Sequence, residues 1–351
     1  MTQLLTTLEE LNAMGIISEQ DVTTLHPVAE RYAIAVTRHI CERMDPNDQE
    51  DPIRQQFIPH TKEMQHLDDE LEDPISDEVH SPVRGIVHRY SNRALLKIVN
   101  ICPIYCRFCF RREMIGQGFS AVLDAETISK ALDYVANTPQ LEELIVTGGD
   151  PFVLSAKHIK DFTKRVTEIS HIKKLRWHTR VPILTPERIS EELVEALTST
   201  NCKVRVAIHA NHANEFSNRA QIACQLLFNA GIELLSQSVL LRGINDNVQD
   251  LENLCREFSN IKATLYYLHH CDLAPGTARF RTTLAKGLKL MQKLRKRLAE
   301  NLIPSYILDV PGGLGKINLA PERVRQLERG VYKIKLKDNL QIKYRDVLFA
   351  K

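Results

Sequence analysis

From residue 85 onward, short apolar runs alternate with longer amphipathic segments. The short runs are rich in leucine and β-branched residues and predict buried strands, whereas the longer segments carry apolar residues at helical spacing. Strands separated by helices are typical of parallel sheets, because a parallel partner needs a long crossover connection. The predicted strands are residues 94–101, 141–147, 174–179, 204–210, 232–240, 263–268 and 305–310. The predicted helices are residues 125–137, 156–169, 186–197, 219–230, 248–258 and 286–300.

The residues that follow the strands distinguish between two architectures. Six helical crossovers fit either an open doubly wound sheet or a partial TIM-like barrel. Polar residues stand just after nearly every predicted strand, among them Asp150, Arg180, Asn211 and Asp272. Polar loops at the carboxyl ends of many strands fit a barrel, because those ends converge on one mouth. We therefore expect an α/β fold built on a partial TIM-like (β/α)6 barrel.

The segments on either side of the barrel have different patterns. Helical spacing up to about residue 44 predicts two or three helices, whereas residues 45–84 are acidic and punctuated by proline, which favours an extended cover or linker with short helical turns. The tail alternates with period two around residues 337–339, which predicts a β-hairpin outside the barrel. The predicted regions are an extension and connector at 1–84, the barrel at 85–310, and a loop with the hairpin at 311–351.

Composition favours small-molecule partners. The 46 Lys and Arg residues nearly balance 44 Asp and Glu residues, so no strong field attracts nucleic acid or an anionic membrane. No apolar run approaches the length of a membrane span, and the first residues lead into a charged segment unlike a signal peptide. We expect a cytoplasmic protein. Five of the eight cysteines are scattered and are expected to serve packing rather than disulfides.

The other three cysteines form the most informative motif. Cys102, Cys106 and Cys109 follow the first predicted strand with the spacing C-x3-C-x2-C. Structural zinc and ordinary iron–sulfur sites use four protein ligands, so three thiolates predict a metal centre with one open position. The alternative is a zinc site or redox dithiol completed by a distant ligand, and with it a non-catalytic metal or redox module.

A glycine pair and a carboxylate end the second predicted strand. Gly148 and Gly149 would let the backbone approach a ligand closely, and the carboxylate of Asp150 could hold an ammonium group. An ordinary turn is the alternative interpretation of this segment.

A glycine-rich loop over residues 311–316 ends in Lys316. A phosphate-binding Walker A loop requires Ser or Thr after the lysine, but Ile317 stands there, so an ATP site is excluded. A lysine on flexible glycines could instead act as a Schiff-base nucleophile, for which pyridoxal phosphate is the usual partner. Arg89 and Arg93 precede the first strand and could neutralise the phosphate, or could form an ordinary charged surface pair.

Together, these motifs resemble the lysine 2,3-aminomutase family of radical S-adenosylmethionine enzymes. The resemblance extends from about residue 32 to residue 321, and its many matches in the same order make chance similarity implausible. Besides the cysteine and glycine motifs, the matching segments are residues 51–54, 71–74, 81–85, 88–90, 111–112, 211–215, 237–243, 246, 271–273 and 311–316.

The resemblance implies a role for each candidate residue. The implied ligands of a [4Fe–4S] cluster, on which S-adenosylmethionine is chelated, are Cys102, Cys106 and Cys109. Other residues implied to contribute to cofactor binding are Gly148, Gly149, Asp150 and Gln237. The residues implied to hold pyridoxal 5′-phosphate are Arg89, Tyr90, Arg93 and Lys316, which bonds to it. The residues implied to bind the substrate are Arg111, at the α-carboxylate, and Asp272 and Asp309, at the ε-ammonium group.

The implied activity is that of an isomerase that converts L-lysine to β-lysine by a 2,3-amino migration. The resemblance also implies a reductant protein such as flavodoxin or ferredoxin and a homo-oligomer. Two variants of this function stay open: the same chemistry supplying β-lysine for modification of translation elongation factor P, and a 2,3-aminomutase for another cationic amino acid. Some family members bind zinc through C-terminal cysteines, but no cysteine follows Cys271 here, so no zinc is expected.

Overall fold

The structure, a computed structural model, describes residues 4–116, 120–336 and 340–346. Within these ranges the strands are β1 (Leu4–Leu5), β2 (Val36–Thr37), β3 (Ile86–Tyr90), β4 (Arg93–Val99), β5 (Glu143–Gly148), β6 (Lys174–Thr179), β7 (Lys203–His209), β8 (Glu233–Leu240), β9 (Thr264–His270), β10 (Ser305–Val310), β11 (Gly315–Asn318), β12 (Val324–Glu328), β13 (Val331–Lys335) and β14 (Gln341–Arg345). The α-helices in these ranges are α1 (Leu8–Ala13), α2 (Glu19–Arg31), α3 (Arg38–Cys41), α4 (Pro52–Phe57), α5 (Ala125–Ala136), α6 (Ala156–Thr167), α7 (Val181–Leu184), α8 (Glu191–Thr198), α9 (Asn218–Asn229), α10 (Val248–Asn260) and α11 (Leu284–Leu294).

A nine-stranded sheet forms the centre of the molecule, with the strand order β11-β10-β9-β8-β7-β6-β5-β4-β3. Strands β4 to β10 pair in parallel, and each is reached from the one before it through helices. The edge strands β3 and β11 run antiparallel to their neighbours. This arrangement confirms the predicted α/β fold with six helical crossovers in a partial TIM-like barrel.

Most predicted elements lie within a few residues of their predicted positions. The predicted helix at 286–300 is wrong at its end, because α11 stops at Leu294 and a short 3-10 turn follows at Glu300–Leu302. The predicted helix at 186–197 divides into a 3-10 turn and α8, since Ser190 caps a new helix by accepting from the amide of Leu193. None of the helices in the described ranges has the length and apolar character that crossing a membrane requires.

A contact between the two edge strands brings the sheet close to closure. The hydroxyl of Tyr90 on β3 accepts a hydrogen bond from the backbone amide of Lys316 on β11, with the two atoms 2.7 Å apart. Gly315 lies against the same tyrosine, since a Cβ built on it would come within 3.1 Å of the hydroxyl oxygen. The strands that lie farthest apart in sheet order therefore meet beside the candidate nucleophile Lys316.

The N-terminal helices share the hydrophobic core of the barrel. Helices α1 and α2 start at capping boxes on Thr7 and Ser18, and their buried faces face inward. Apolar side chains of this extension, such as Leu11 and Phe57, belong to the same buried cluster as those of the strands and outer helices. The two or three predicted helices are confirmed, and the connector contains the short helical turns expected of it.

The C-terminal residues form a small sheet of their own. Strands β13 and β14 pair antiparallel, which confirms the predicted hairpin, although its turn at 337–339 lies outside the described residues. Strand β12 adds a third strand that the sequence pattern did not predict. Tyr332, Ile334 and Tyr344 pack into a second apolar cluster together with residues of α11 and β10, so this sheet covers the outside of the barrel.

The exit of β5 packs against the backbone that leads into the cysteine loop. Gly149 donates its amide hydrogen to the carbonyl of Val99 at 2.7 Å, and Asp150 donates to that of Ile101 at 2.9 Å. Gly148 has φ +113°, and a Cβ on either glycine would overlap a backbone carbonyl oxygen of Val99 or Ile101. The close approach that the structure shows at these glycines is to another segment of the same chain, and it fixes where the cysteine loop starts, whereas their predicted approach to a ligand stays a prediction.

Gly149→Ala should destabilise the protein because the added methyl group has no room beside the backbone of Ile101. Overpacking of this kind costs about 2 kcal/mol of unfolding free energy or more. The control Gly231→Ala has open space around the new methyl group and suffers only from its φ of +79°, a cost of about 1 kcal/mol. Urea denaturation followed by circular dichroism compares the two, and equal losses would show that the packing at Gly149 is not tight.

Candidate active site

Most of the predicted functional residues lie near the carboxyl ends of the parallel strands, whereas Arg89, Tyr90 and Arg93 lie at the turn that leads into β4. Direct contacts link loops that follow different strands. Asp150, after β5, accepts a hydrogen bond from the backbone amide of Arg180, after β6, at 2.7 Å. Arg180 in turn donates from Nη1 to the sulfur of Cys106, after β4, at 2.8 Å. The convergence expected of a barrel mouth is thus present as hydrogen bonds between its loops.

The cysteine loop is held by the N-terminal extension. Tyr105 donates its amide hydrogen to the carbonyl of Ala35, and Arg107 donates to that of Gln56. Cys102, Cys106 and Cys109 are partly exposed, and none forms a disulfide. Although parts of these residues are exposed, the thiol groups are enclosed, and this burial raises the pKa of all three, that of Cys109 to about 11; the nearby sulfurs raise the pKa of Cys102 and Cys109 further.

Three thiols on one loop match the cysteine ligands of an iron–sulfur cluster with one open iron. Among the described residues, no group of three or more His, Cys, Asp or Glu side chains is arranged to hold one metal ion. In a [4Fe–4S] cluster each cysteine binds its own iron, so the sulfurs have to line a cavity rather than converge on one point. A thiol gives up its proton when it binds a metal, so the raised pKa values mean that an iron–sulfur cluster would have to displace these protons.

Arg180 is a cation that donates a hydrogen bond to one of these thiols, that of Cys106. Its Nη2 donates to Glu215 at 2.5 Å and to Gln56 at 3.3 Å, and its Nε is buried without a partner among the described residues. The guanidinium also lies over the rings of Phe57 and Phe108, at 5.1 and 5.5 Å from their centroids. An arginine fixed in this way can stabilise negative charge on cysteine sulfur.

Asp150 is saturated by its own chain. One carboxylate oxygen accepts from the Thr179 hydroxyl at 2.7 Å and from the Phe152 amide at 3.0 Å, while the other accepts from the Arg180 amide. Burial raises its pKa, which these donors counteract. Gln237 lies half-buried on β8, where its backbone carbonyl accepts a hydrogen bond from the backbone amide of Ala210 at 3.2 Å.

Two further candidate residues lie side by side at the junction of the edge strands. Lys316 is opposite Asp309 in the β10–β11 pairing, and its Nζ lies 2.5 and 2.7 Å from the two carboxylate oxygens of Asp309. The Nδ1 of His269 on β9 is 3.0 Å from the same carboxylate. Burial would raise the pKa of Asp309, but Lys316 and His269 outweigh it and hold the pKa below its ordinary value.

Asp272 is the second carboxylate of this group. Burial, reinforced by repulsion from the negative charge of Asp309, raises its pKa to about 8, although Lys316 and Arg111 act in the opposite direction. The two carboxylates are therefore close enough to influence each other, and their surroundings favour the protonated form of Asp272 and the ionised form of Asp309.

The cations predicted to bind anions surround the turn between β3 and β4 and the cysteine loop. Arg93 lies over the ring of Tyr90, with the guanidinium carbon 4.3 Å from its centroid. Arg89 donates to the carbonyl of Ile75, and its Nε is buried without a partner among the described residues. Arg111 pairs with Asp77 of the connector, with Nη2 and Oδ2 3.0 Å apart.

Comparison with known proteins identifies the family. The model of the Radical SAM superfamily matches residues 96–257. An L-lysine 2,3-aminomutase from Clostridium subterminale is 36% identical over 318 residues, which is 91% of this chain and 76% of the relative. The chain belongs to the lysine 2,3-aminomutase family. Its similarity extends to L-lysine 2,3-aminomutases from Escherichia coli K12, at 33% identity over 89% of this chain and 90% of the relative, and from Bacillus subtilis 168, at 32% identity over 92% and 68%.

Several residues of this lysine 2,3-aminomutase family member escaped prediction from sequence. Asp77 and Glu63 lie in the acidic connector, where the pattern indicated a linker. Glu63 is buried and pairs with Arg107 and Arg112, whose charges outweigh burial and lower its pKa to about 2. His269 lies within a strand and gave no separate signal. A usable sequence signal was the excess of arginine after the cysteine motif, since buried arginines require carboxylate partners.

The stability of this lysine 2,3-aminomutase family member should depend on pH through Asp272, whose pKa is about 8 in the folded protein. In the unfolded chain the pKa is about 3.9, so between these values only the folded state binds the proton. The contribution of Asp272 to the unfolding free energy should therefore fall with rising pH, by up to about 1.4 kcal/mol per unit, until about pH 8. Asp272→Asn should flatten this dependence between pH 6 and 8 in urea titrations of cofactor-free protein, whereas the exposed control Asp133→Asn should follow wild type. Parallel curves for wild type and Asp272→Asn would contradict the prediction.

Proposed function

We propose that this protein is a radical S-adenosylmethionine and pyridoxal-phosphate-dependent isomerase that converts L-lysine to β-lysine by moving the amino group from Cα to Cβ. The observation that carries the proposal is the carboxylate of Asp309, which binds the ammonium group of Lys316 and lies close enough to Asp272 to influence its pKa. The names of the relatives support the same substrate.

The donor set fits an iron–sulfur cluster with an open iron. Cys102, Cys106 and Cys109 would hold the cluster beside a site for S-adenosylmethionine, and the bound group would supply the electron whose transfer to S-adenosylmethionine yields a hydrogen-abstracting group. Arg180 would donate its hydrogen bond to the sulfur of Cys106 and stabilise the added negative charge. We propose that Gly148, Gly149, Asp150 and Gln237 shape the cofactor side of the mouth.

The residues at the sheet edges fit pyridoxal phosphate. Lys316 offers an amine on a glycine-rich loop, Tyr90 contacts the backbone of this lysine, and Arg89 and Arg93 offer positive charge. The buried Nε of Arg89, which lacks a partner among the described residues, is a donor suited to a phosphate oxygen. Pyridoxal phosphate bonded to an amine would supply the delocalisation that lets the amino nitrogen migrate.

Asp309 and Asp272 would bind the substrate's ε-ammonium group. A cation at the end of an alkyl chain loses hydration inside the barrel, and opposite charge has to offset that loss. Asp309 already accepts an ammonium group from Lys316, so its environment suits a substrate ammonium when Lys316 is engaged elsewhere. An approaching cation would also favour ionisation of Asp272, so binding at neutral pH would release a proton from it.

Arg111 would bind the substrate's α-carboxylate at the other end. The guanidinium is buried beside the cysteine loop, and it contributes to the electrostatic environment of Asp272. The substrate would therefore lie between a cation and a carboxylate pair, an arrangement that selects an amino acid with a second positive charge. The ordered extension and connector, which pack against the cysteine loop, would exclude water from this mouth.

The protein partner that supplies the electron and the state of assembly are also proposals. A radical S-adenosylmethionine enzyme requires a reductant, and we propose flavodoxin or ferredoxin as its source and a homo-oligomer as the assembly. Neither alternative use of the chemistry, for elongation factor P or for another cationic amino acid, is favoured by a specific contact of the described residues.

Anaerobic assay tests the function directly. Protein reconstituted with iron, sulfide and pyridoxal phosphate, then given reductant, S-adenosylmethionine and L-lysine, should yield β-lysine in mass spectrometry. Cys106→Ala should lose iron and product, whereas Cys41→Ala, which changes a buried cysteine outside the motif, should keep both. Absence of β-lysine from wild type with full iron and pyridoxal absorbance would contradict the proposal, and L-arginine in the same assay would then test the other cationic substrate.

Lys316 variants test the cofactor linkage without turnover. Lys316→Arg should keep a cation beside Asp309 but fail to retain pyridoxal phosphate through desalting, because a guanidinium offers no nucleophilic amine. Iron content should stay at the wild-type level, and the exposed control Lys333→Ala should retain the cofactor. Pyridoxal absorbance that survives desalting of Lys316→Arg would place the linkage at another lysine.

A further inference from the structure

A carboxylate from the connector lies among three cations of the candidate active site. Asp77 has a side chain that is 2% exposed, and its Oδ2 accepts hydrogen bonds from Nε and Nη2 of Arg111, at 3.3 and 3.0 Å. The Nζ of Lys97 lies 3.8 Å from the same oxygen, and Nη2 of Arg89 lies 3.6 Å from Oδ1. The substrate and cofactor contacts proposed above leave this residue without a role.

We propose that Asp77 is a positioning residue: it holds the guanidinium of Arg111 by one side and thereby presents the other end to the substrate's α-carboxylate. This inference rests on the proposed function, since it takes the α-carboxylate of an amino acid as the ligand of Arg111. Asp77 itself touches neither substrate nor cofactor in this role.

The geometry of the guanidinium allows Arg111 to bind Asp77 and a substrate carboxylate at the same time. Arginine offers two faces for paired hydrogen bonds, one through Nε and Nη2 and one through Nη1 and Nη2. Asp77 takes the first face, and within the described residues no hydrogen bond leaves Nη1 of Arg111. The ring of Phe110 lies 4.5 Å from the guanidinium carbon and supports its plane. The second face is left for a carboxylate that approaches end-on.

The turn that carries Asp77 is itself fixed, at a cost. Ser76 has φ +55°, a left-handed conformation that costs a residue other than glycine about 1–2 kcal/mol. The carboxylate of Asp73 accepts from the amides of Asp77 and Glu78 at 2.9 Å, and the hydroxyl of Ser81 donates to the carbonyl of Asp77 at 2.8 Å. A strained turn braced on both sides is expected where the direction of one side chain matters.

The charge balance shows why Asp77 does not displace a ligand. Arg89, Lys97 and Arg111 bring three positive charges within 4 Å of the carboxylate of Asp77, more than this one carboxylate can neutralise. An excess of buried positive charge favours binding of further anions. A substrate carboxylate and a cofactor phosphate would supply them, with Asp77 staying in place as the fixed partner that spaces the cations.

Asp77→Asn tests the proposal in protein loaded with iron and pyridoxal phosphate, without reductant. Bound pyridoxal absorbance is followed during titration with L-lysine and with L-lysinamide, which lacks the carboxylate. Loss of an oriented charge-assisted contact should lower the affinity for L-lysine tenfold or more, on the order expected for such a bond, and should lower the affinity for L-lysinamide less than about twofold. The exposed neighbour variant Glu78→Gln removes the same charge from the same turn and should leave both affinities unchanged.

The outcomes separate the alternatives. If the affinities for L-lysine and L-lysinamide fall equally, the proposal is overturned in favour of a general structural role. Unchanged affinity for L-lysine would also overturn it. Tighter binding of L-lysine would overturn it as well, because it would show that Asp77 occupies the place of the substrate carboxylate. If Asp77→Asn does not fold, Asp77→Glu keeps the charge and shifts the carboxylate. The affinity for L-lysine should then fall about threefold or more, and the affinity for L-lysinamide should fall less. Equal effects on the two affinities would again overturn the proposal. Wild type that retains pyridoxal phosphate but gives no saturable response to lysine would overturn the proposed function, and the role of Asp77 with it.

Discussion

Neutralisation of buried arginine is the constraint on which this structure depends. A charged group inside a protein is tolerated only with a partner and hydrogen bonds. The arginines around the cysteine loop pair with carboxylates that are distant in the sequence. Glu63 pairs with Arg107 and Arg112, and Glu215 pairs with Arg180. Since each pair joins separate segments, the ion pairs that make burial possible also set the positions of the loops.

This constraint makes the N-terminal extension part of the site. Its backbone accepts hydrogen bonds from the cysteine loop, and its carboxylates neutralise cations of that loop. The extension also shares the hydrophobic core of the barrel, so it is held by apolar packing as well as by charge. The mouth of the barrel is thus a joint product of the strands and of a segment that precedes them, and the shape of the mouth depends on both.

The sequence pattern was sufficient for the repeating part of the fold and insufficient for its edges. Buried parallel strands appear in the sequence as apolar runs, and the helices between them have apolar residues at helical spacing. The spacing of apolar residues was therefore enough to predict both. Strands β3 and β11 are short and contain polar residues such as Arg89 and Lys316, which obscure the period. The partners of the cations were missed for another reason: the pairing of Asp77 or Glu63 with a distant arginine arises only in three dimensions, whereas locally both acids resemble a solvated linker.

The contact between Tyr90 and Lys316 has a consequence for biosynthesis. These residues are 226 positions apart, and one lies on an edge strand made early while the other lies on the edge strand made last. Domains generally fold as units while the chain is being synthesised. Because the mouth closes through the contact between Tyr90 and Lys316, the candidate site cannot be complete before residue 316 has left the ribosome, when nearly all of the central sheet has been translated.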